Sequence, residues 1–169
     1  LPEIEGADRA HVFTARQVME GKAKLGTSVV VFDTVGRAEG ATVADYIADQ
    51  GRQVNIVTGL EKLAPDMPSP TRHHTLEKLM GNPAVTITPY TAIFEVGEGL
   101  VEAYNVVTWE PKTIEGVDTV VFASGGIADE GLVAPLRARH PSVRVIGDSF
   151  QPRDIELSII DGHRMGREI

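Results

Sequence analysis

The 169-residue chain has no cysteine at all. That absence removes disulfides, thiolate metal sites and cysteine ligation of an iron–sulfur cluster from anything these residues do by themselves. Positive charge is also short, with 16 Lys and Arg against 24 Asp and Glu and a formal charge of −8. Such a balance argues against nucleic acid or an anionic membrane as partner. No apolar run approaches the ~18 residues that span a bilayer, and no basic-then-apolar leader opens the sequence. No internal repeat or low-complexity stretch appears either. The expectation is a soluble, cytoplasmic protein. The chain is long enough to bury a core, as one domain or one domain with an appendage. It begins at Leu1 rather than Met, which reads as a cut fragment or a processed product.

What is present has the order of an α/β sheet. LPEIEGAD reads as an extended opening segment, and Thr14 with Gln17 as the capping box of a short helix ending near Gly21. Ser28 to Phe32 (SVVVF) is an unbroken apolar run, the pattern of a strand buried on both faces. A helix is expected from about Gly40 to Gln50 with Gly51 as its stop, followed by a strand over Gln53 to Thr58. This strand–helix–strand unit takes about 30 residues and is parallel and right-handed by default. Ser69-Pro70 opens a further helix to Gly81. From Ala84 to Glu115 the period changes to two, as in a meander of short strands packed on one edge of the sheet. Thr119 to Ala123 returns to a buried strand, Leu132 to Arg139 to a helix, and Val143 to Ile146 to a short buried strand. Ile155 and Ile159 then recur at helical spacing toward Ile169.

Ligands of such sheets sit beyond the carboxyl ends of the strands. The first such place is the turn DTVGRAEG after Phe32. In a G-x-G-x-x-G turn the last Gly begins the helix, which fits Gly40. Val35 and Arg37 then stand where the first two glycines belong, and the loop is about two residues too long for the motif. The helix N-terminus still offers N–H groups and a positive dipole end to a phosphate, with Arg37 as a cationic helper. The alternative is a turn that only packs the helix on the sheet. The second strand ends Val57-Thr58-Gly59, without the acid that selects NAD or the Arg that selects NADP, and Glu61, three residues beyond Thr58, reaches it only from a folded-back loop. Any nucleotide held here is expected to be ADP or the adenosine end of a dinucleotide, bound weakly. The second place is Gly147-Asp148. Its acid either accepts hydrogen bonds from ligand hydroxyls, a flavin's ribityl chain suiting it best, or merely caps a turn.

The order of segments resembles the C-terminal half of the family that contains 2,4-dienoyl-CoA reductase, trimethylamine dehydrogenase and related old-yellow-enzyme-type NADH:flavin oxidoreductases. SVVVFDTVGRAEGATVADYIADQGRQVNIVT is similar to that family's inserted nucleotide-binding domain, and VDTVVFASGG to its last strand. VRVIGDSFQPRDIELSIIDGHRMGREI is similar to the return to the flavin domain, with IGD-x3-PR and DGHR as the most specific part. The resemblance implies an α/β fold: a Rossmann-like parallel sheet of the FAD/NAD(P)-binding type with an antiparallel β-meander. It implies residues 1–26 as an opening segment from the flavin domain, 27–142 as the inserted domain and 143–169 as the return. The parent would hold FMN and a four-iron, four-sulfur cluster in a missing N-terminal barrel, and FAD or ADP, with NAD(P)H as a further option, in the C-terminal half. Its partner would be the rest of its own polypeptide.

By the same resemblance the flavin-contacting Gly-Asp falls on Gly147 and Asp148, with the loop through Arg153 nearby. The full set of expected cofactor contacts is Asp33, Thr34, Gly36, Arg37, Gly40, Thr58, Ser124, Gly125, Gly147, Asp148 and Arg153. No catalytic residue and no metal ligand is expected. The broken glycine motif is more similar to the amine-dehydrogenase branch, whose corresponding domain holds ADP. The implied function is a piece of a flavin-dependent oxidoreductase, inactive and without bound flavin when alone. The other class is a non-redox ADP-binding or purely structural scaffold domain.

Other polar groups weigh less. His73 and Glu77 have the i,i+4 spacing of a ligand pair, but without a third ligand they read as a solvated helix face. His163 follows Asp161-Gly162 in the final helix, where local pairing is the expectation. Ser124 lacks the G-x-S-x-G elbow of a hydrolase nucleophile. Trp109 is expected to cover the meander rather than to stack on a ligand.

Overall fold

The structure, a computed structural model, describes residues 3 to 168; Leu1 and Pro2, in the expected opening segment, and Ile169, toward which the last helix was expected to run, lie outside them. The chain divides into two compact units, Leu1–Ser124 and Gly125–Ile169.

In chain order the first unit contains β1 (Val12–Thr14), α1 (Ala15–Met19), β2 (Ser28–Asp33), α2 (Ala38–Ala48), β3 (Gln53–Thr58), α3 (Ser69–Gly81), β4 (Val85–Thr88), β5 (Thr91–Val96), β6 (Gly99–Asn105), β7 (Pro111–Val117) and β8 (Thr119–Ala123). Five strands form one parallel sheet in the order β1-β8-β2-β3-β4, and β5-β6-β7 form an antiparallel sheet. The apolar run of β2 is continuous because both of its faces are covered. Val29 and Val31 point into one core with Val43, Ile47 and Leu79 of the helices. Val30 and Phe32 point into the other, with Ile93, Val96, Val101 and Val117 of the antiparallel sheet. Each Val or Ile so buried contributes ~1.5–3 kcal/mol relative to exposure. Phe32 meets Phe122 of β8 edge to face, with ring centroids 6.0 Å apart.

Local signals set the helix limits. Gln17 N–H donates to Thr14 Oγ1 at 3.2 Å and Thr14 N–H to Gln17 Oε1 at 2.8 Å, which is the expected capping box. Gly51, at φ +77°, stops α2 as expected, although α2 begins at Ala38, before Gly40. Pro70 sits in the first turn of α3, where its missing N–H costs nothing.

Val12–Thr14 is a strand that pairs with β8, too short to show a period and so missing from the sequence reading. Three expectations are corrected. VTIT (β4) belongs to the parallel sheet beside β3 rather than to the meander. The meander covers a face of the parallel sheet, not its edge, since its inward residues share a core with β2 and β8. Arg144–Ile146 forms no strand: it pairs with none of the described strands, and Ile146 is 39% exposed.

The second unit contains α4 (Val133–Arg139), a single 3-10 turn at Gly147–Ser149 and α5 (Ile155–Gly166). Asp154 caps α5 by accepting the Leu157 N–H at 2.8 Å. No described residue from Gly125 onward is buried. Among the described residues no helix is long and apolar enough to cross a membrane.

Candidate functional site

Three strands of the first unit end side by side. Asp33 lies level with Thr58 on β3 and Ala123 on β8, and all three are fully buried. The Thr34 N–H crosses to the Ala123 carbonyl at 3.2 Å, so β2 stays tied to β8 as it enters the turn. Asp33 Oδ1 then accepts the N–H of Gly36 at 2.9 Å and of Val35 at 3.2 Å. This Asx-type loop requires Gly36 at φ +71°, in the left-handed region that glycine occupies without strain. Asp33 Oδ2 is buried with no partner. Burial pushes the Asp33 carboxyl above its ordinary pKa, against the lowering effect of the Gly36 and Val35 N–H groups.

Gly40 lies within the first turn of α2 instead of opening it, and it packs closely on Asp33. A Cβ on Gly40 would lie 2.8 Å from Asp33 Cβ and 2.9 Å from Asp33 Cγ. The first turn of α2 is thus laid against the Asp33 side chain. Arg37 is the half-buried N-cap residue, its side chain makes no capping hydrogen bond, and the acidic Glu39 stands in the first helical turn. The turn is also covered from the loop after β3. A Cβ on Gly36 would sit 2.4 Å from Leu60 Cδ1 and 3.2 Å from Pro65 Cγ, and Asp66 N–H donates to the Gly36 carbonyl at 3.3 Å. Thr58 Oγ1 is engaged locally, accepting the Leu60 N–H at 3.3 Å. Nothing in the spacing pointed to Leu60 and Pro65 as neighbours. The Asp-x-x-Gly pattern of an Asx-type turn was the readable sign that Asp33 folds back on its own loop.

In the second unit Gly147, at φ +61°, Asp148 and Arg153 come together with two residues that spacing did not single out. Arg153 pairs with Asp161 of α5, and Asp161 Oδ2 also accepts the Gly147 N–H at 3.3 Å. Asp148 Oδ1 accepts the Ser158 hydroxyl at 3.3 Å and the Arg153 N–H at 3.4 Å. Asp148 remains exposed, so its carboxylate keeps acceptor capacity toward a ligand. Arg153 and Asp161 side chains are only 16% and 20% exposed. Arg153 thereby fixes the loop, and Asp148 is the acid that faces outward. Ser124 is half-buried at the end of β8 and is followed by irregular backbone, not by a nucleophile elbow; Gly125 is exposed.

The minor groups resolve simply. His74, not His73, faces Glu77, at 3.9 Å and in solvent, because a spacing of three closes better here than four. Among the described residues no cluster of three His, Asp or Glu could hold a metal. Trp109 does not cover the meander core: it is 72% exposed and stacks on Tyr104, with centroids 5.3 Å apart and rings 4° from parallel.

No family model matches the chain. It is 27% identical to the dimethylamine dehydrogenase of Hyphomicrobium sp. (strain x), over 98% of this chain and 26% of that protein. It is 29% identical to the bilirubin reductase of Mediterraneibacter gnavus, over 96% of this chain and 25% of that protein. A solved 2-naphthoyl-CoA reductase in complex with 2-naphthoyl-CoA superposes with a TM-score of 0.83 at 29% identity, over all of this chain and 25% of that one. The chain therefore spans about a quarter of the length of the curated relatives it matches. All three are oxidoreductases by name, which favours a redox parent over a scaffold. These are relatives of the kind that the resemblance to the 2,4-dienoyl-CoA reductase/trimethylamine dehydrogenase type of oxidoreductase implied, each similar to this chain over a portion of its own length.

Proposed function

We propose that the chain belongs to a flavin-dependent oxidoreductase, in which residues 27–142 form a Rossmann-like inserted domain and residues 1–26 and 143–169 belong to the flavin domain. The observation that carries this reading is the second unit. It organises a loop through Gly147, Asp148, Arg153 and Asp161, yet buries none of its described side chains. Ile155 and Ile159 of α5 are 79% and 64% exposed, a face that needs covering by other parts of the same polypeptide. A flavin, as FAD, supplies two-electron chemistry when bound, and ADP in the same place supplies none. The residues fit either group at one end: Asp148 offers carboxylate oxygens to hydroxyls, while Arg153 and Asp161 hold the loop that presents it. The expected barrel, with FMN and an iron–sulfur cluster, belongs to the remainder of the parent, and so does the choice of substrate.

The test is the flavin content of the complete polypeptide. The parent is expected to purify with bound flavin, the 169-residue chain with none, and Asp148→Ala in the parent to lower occupancy of the dinucleotide site about tenfold, the loss of a charge-assisted pair of hydrogen bonds. A parent that purifies free of flavin, and does not take it up when supplied, sinks the reading.

A further inference from the structure

Unit 1 has the layered sheet of a nucleotide-binding domain, but its β2–α2 turn is filled. We propose that Asp33 is a specificity-determining residue that closes this turn, so that the inserted domain accepts neither a nicotinamide dinucleotide nor ADP at the place where its fold would put the phosphates. The inference concerns the first unit alone and does not rest on the flavin assignment of the second.

Three observations converge on it. A phosphate bound at the end of such a strand takes its hydrogen bonds from the backbone N–H groups of the turn. Here the N–H groups of Val35 and Gly36 already donate to Asp33 Oδ1. Space is the second point. In the dinucleotide motif the second glycine lets the backbone approach the pyrophosphate, and the third packs the helix on the strand. Here Arg37 stands at the second place, and the room beside Gly40 holds the Asp33 side chain, within 3 Å of where a Cβ would stand. The third is the cover. Leu60 and Pro65 lie against Gly36, and Asp66 is hydrogen-bonded to its carbonyl, so the loop after β3 also covers the turn.

Charge works in the same direction. Asp33 is inaccessible and its Oδ2 has no partner, so a phosphate brought alongside would meet an uncompensated acceptor instead of a donor. Glu39 adds a second acid in the first turn of α2. No acid or arginine for the adenosine ribose ends β3, where Thr58 is buried and engaged with Leu60. A nicotinamide held in unit 1 is then neither the electron donor nor the acceptor of the parent.

The experiment is titration of the 169-residue chain with ADP and with NADH, by calorimetry and by backbone amide shifts, for wild type, Asp33→Gly and Asp33→Ser. Wild type is expected to show no saturable binding up to about 1 mM of either. Asp33→Gly, which restores both the room beside Gly40 and the free N–H groups, is expected to bind ADP at least about tenfold more tightly, with amide shifts confined to residues 34–40. Asp33→Ser keeps a short acceptor for the turn and carries the same arm if the glycine variant does not fold by circular dichroism. Saturable wild-type binding with shifts at residues 34–40 overturns the proposal. So does silence from a variant that folds as wild type, because Asp33 is then not what closes the turn. Flavin content of the parent is independent of these arms, so failure of the flavin reading would show there and not here.

Discussion

Asp33 shows how one residue can satisfy the backbone locally and still carry a cost. Its carboxyl gains two N–H bonds but lies wholly out of water, and burial raises its pKa. A carboxyl raised in the folded state stabilises the fold fully at pH values below the unfolded pKa. That contribution is lost as pH rises through the folded value. Asp33→Asn keeps the oxygen that accepts from Val35 and Gly36 and removes the titration. Measured between pH 4 and pH 8, the gap in Tm between Asp33→Asn and wild type is therefore expected to widen in favour of Asn as pH rises. Thermal unfolding of both proteins across that range checks it, and a gap that stays constant or narrows contradicts the buried titration. At this scale the sequence was half legible. The spacing of Gly40 marked the turn between β2 and α2 but not its packing on Asp33, because an Asx-type turn and a phosphate turn both place glycine near a strand end.

At the scale of elements, legibility followed burial. β2, β3 and β8 were readable because a strand covered on both faces must be apolar at nearly every position, and Val29 to Phe32 are. β4 was readable as a strand but not as a neighbour of β3. What joins it there is the backbone ladder and a buried pair, Thr88 Oγ1 donating to Asn55 Oδ1 at 2.8 Å, which no periodicity reports. Val143, Val145 and Ile146 imitated a core strand, since apolar residues also mark surfaces awaiting a partner. Capping was the most legible feature of all, because Thr14 and Gln17 act within one turn. The helix they start, α1, seats Ala15 and Val18 in the helix-side core. Thr14→Ala is expected to cost about 1 kcal/mol, read as a lowered urea midpoint with an unchanged m-value. A fall in m instead would mean that α1 has left the fold.

For the molecule as a whole, the distribution of burial sets where it opens. The first unit holds two cores on the faces of one sheet, while the second holds none among its described residues. Local opening is easiest where few apolar contacts must break. Limited proteolysis of the isolated chain is expected to cut between Gly125 and Glu168 first and to leave a resistant fragment ending near Ser124. Cleavage first within β2, α2 or β3 would show that the cores do not hold the first unit together. In the complete parent the same region is expected to resist, because the covering polypeptide is then present.

The position of β8 has a consequence for how the protein is made. Among the described strands β1 pairs with β8 alone, and β8 in turn lies between β1 and β2, although almost the entire first unit separates Val12 from Val120 in the chain. During synthesis the ribosome delivers β1 before the other strands of the first unit and its partner after them. Until Ala123 has emerged, β1 has no strand to join and β2 presents an open edge to the surroundings. Pairings of such long separation are slow to form and leave apolar strands exposed meanwhile. The nascent chain therefore waits, with the place between β1 and β2 vacant, for one late strand to close the sheet, and that interval is when a chaperone is most needed.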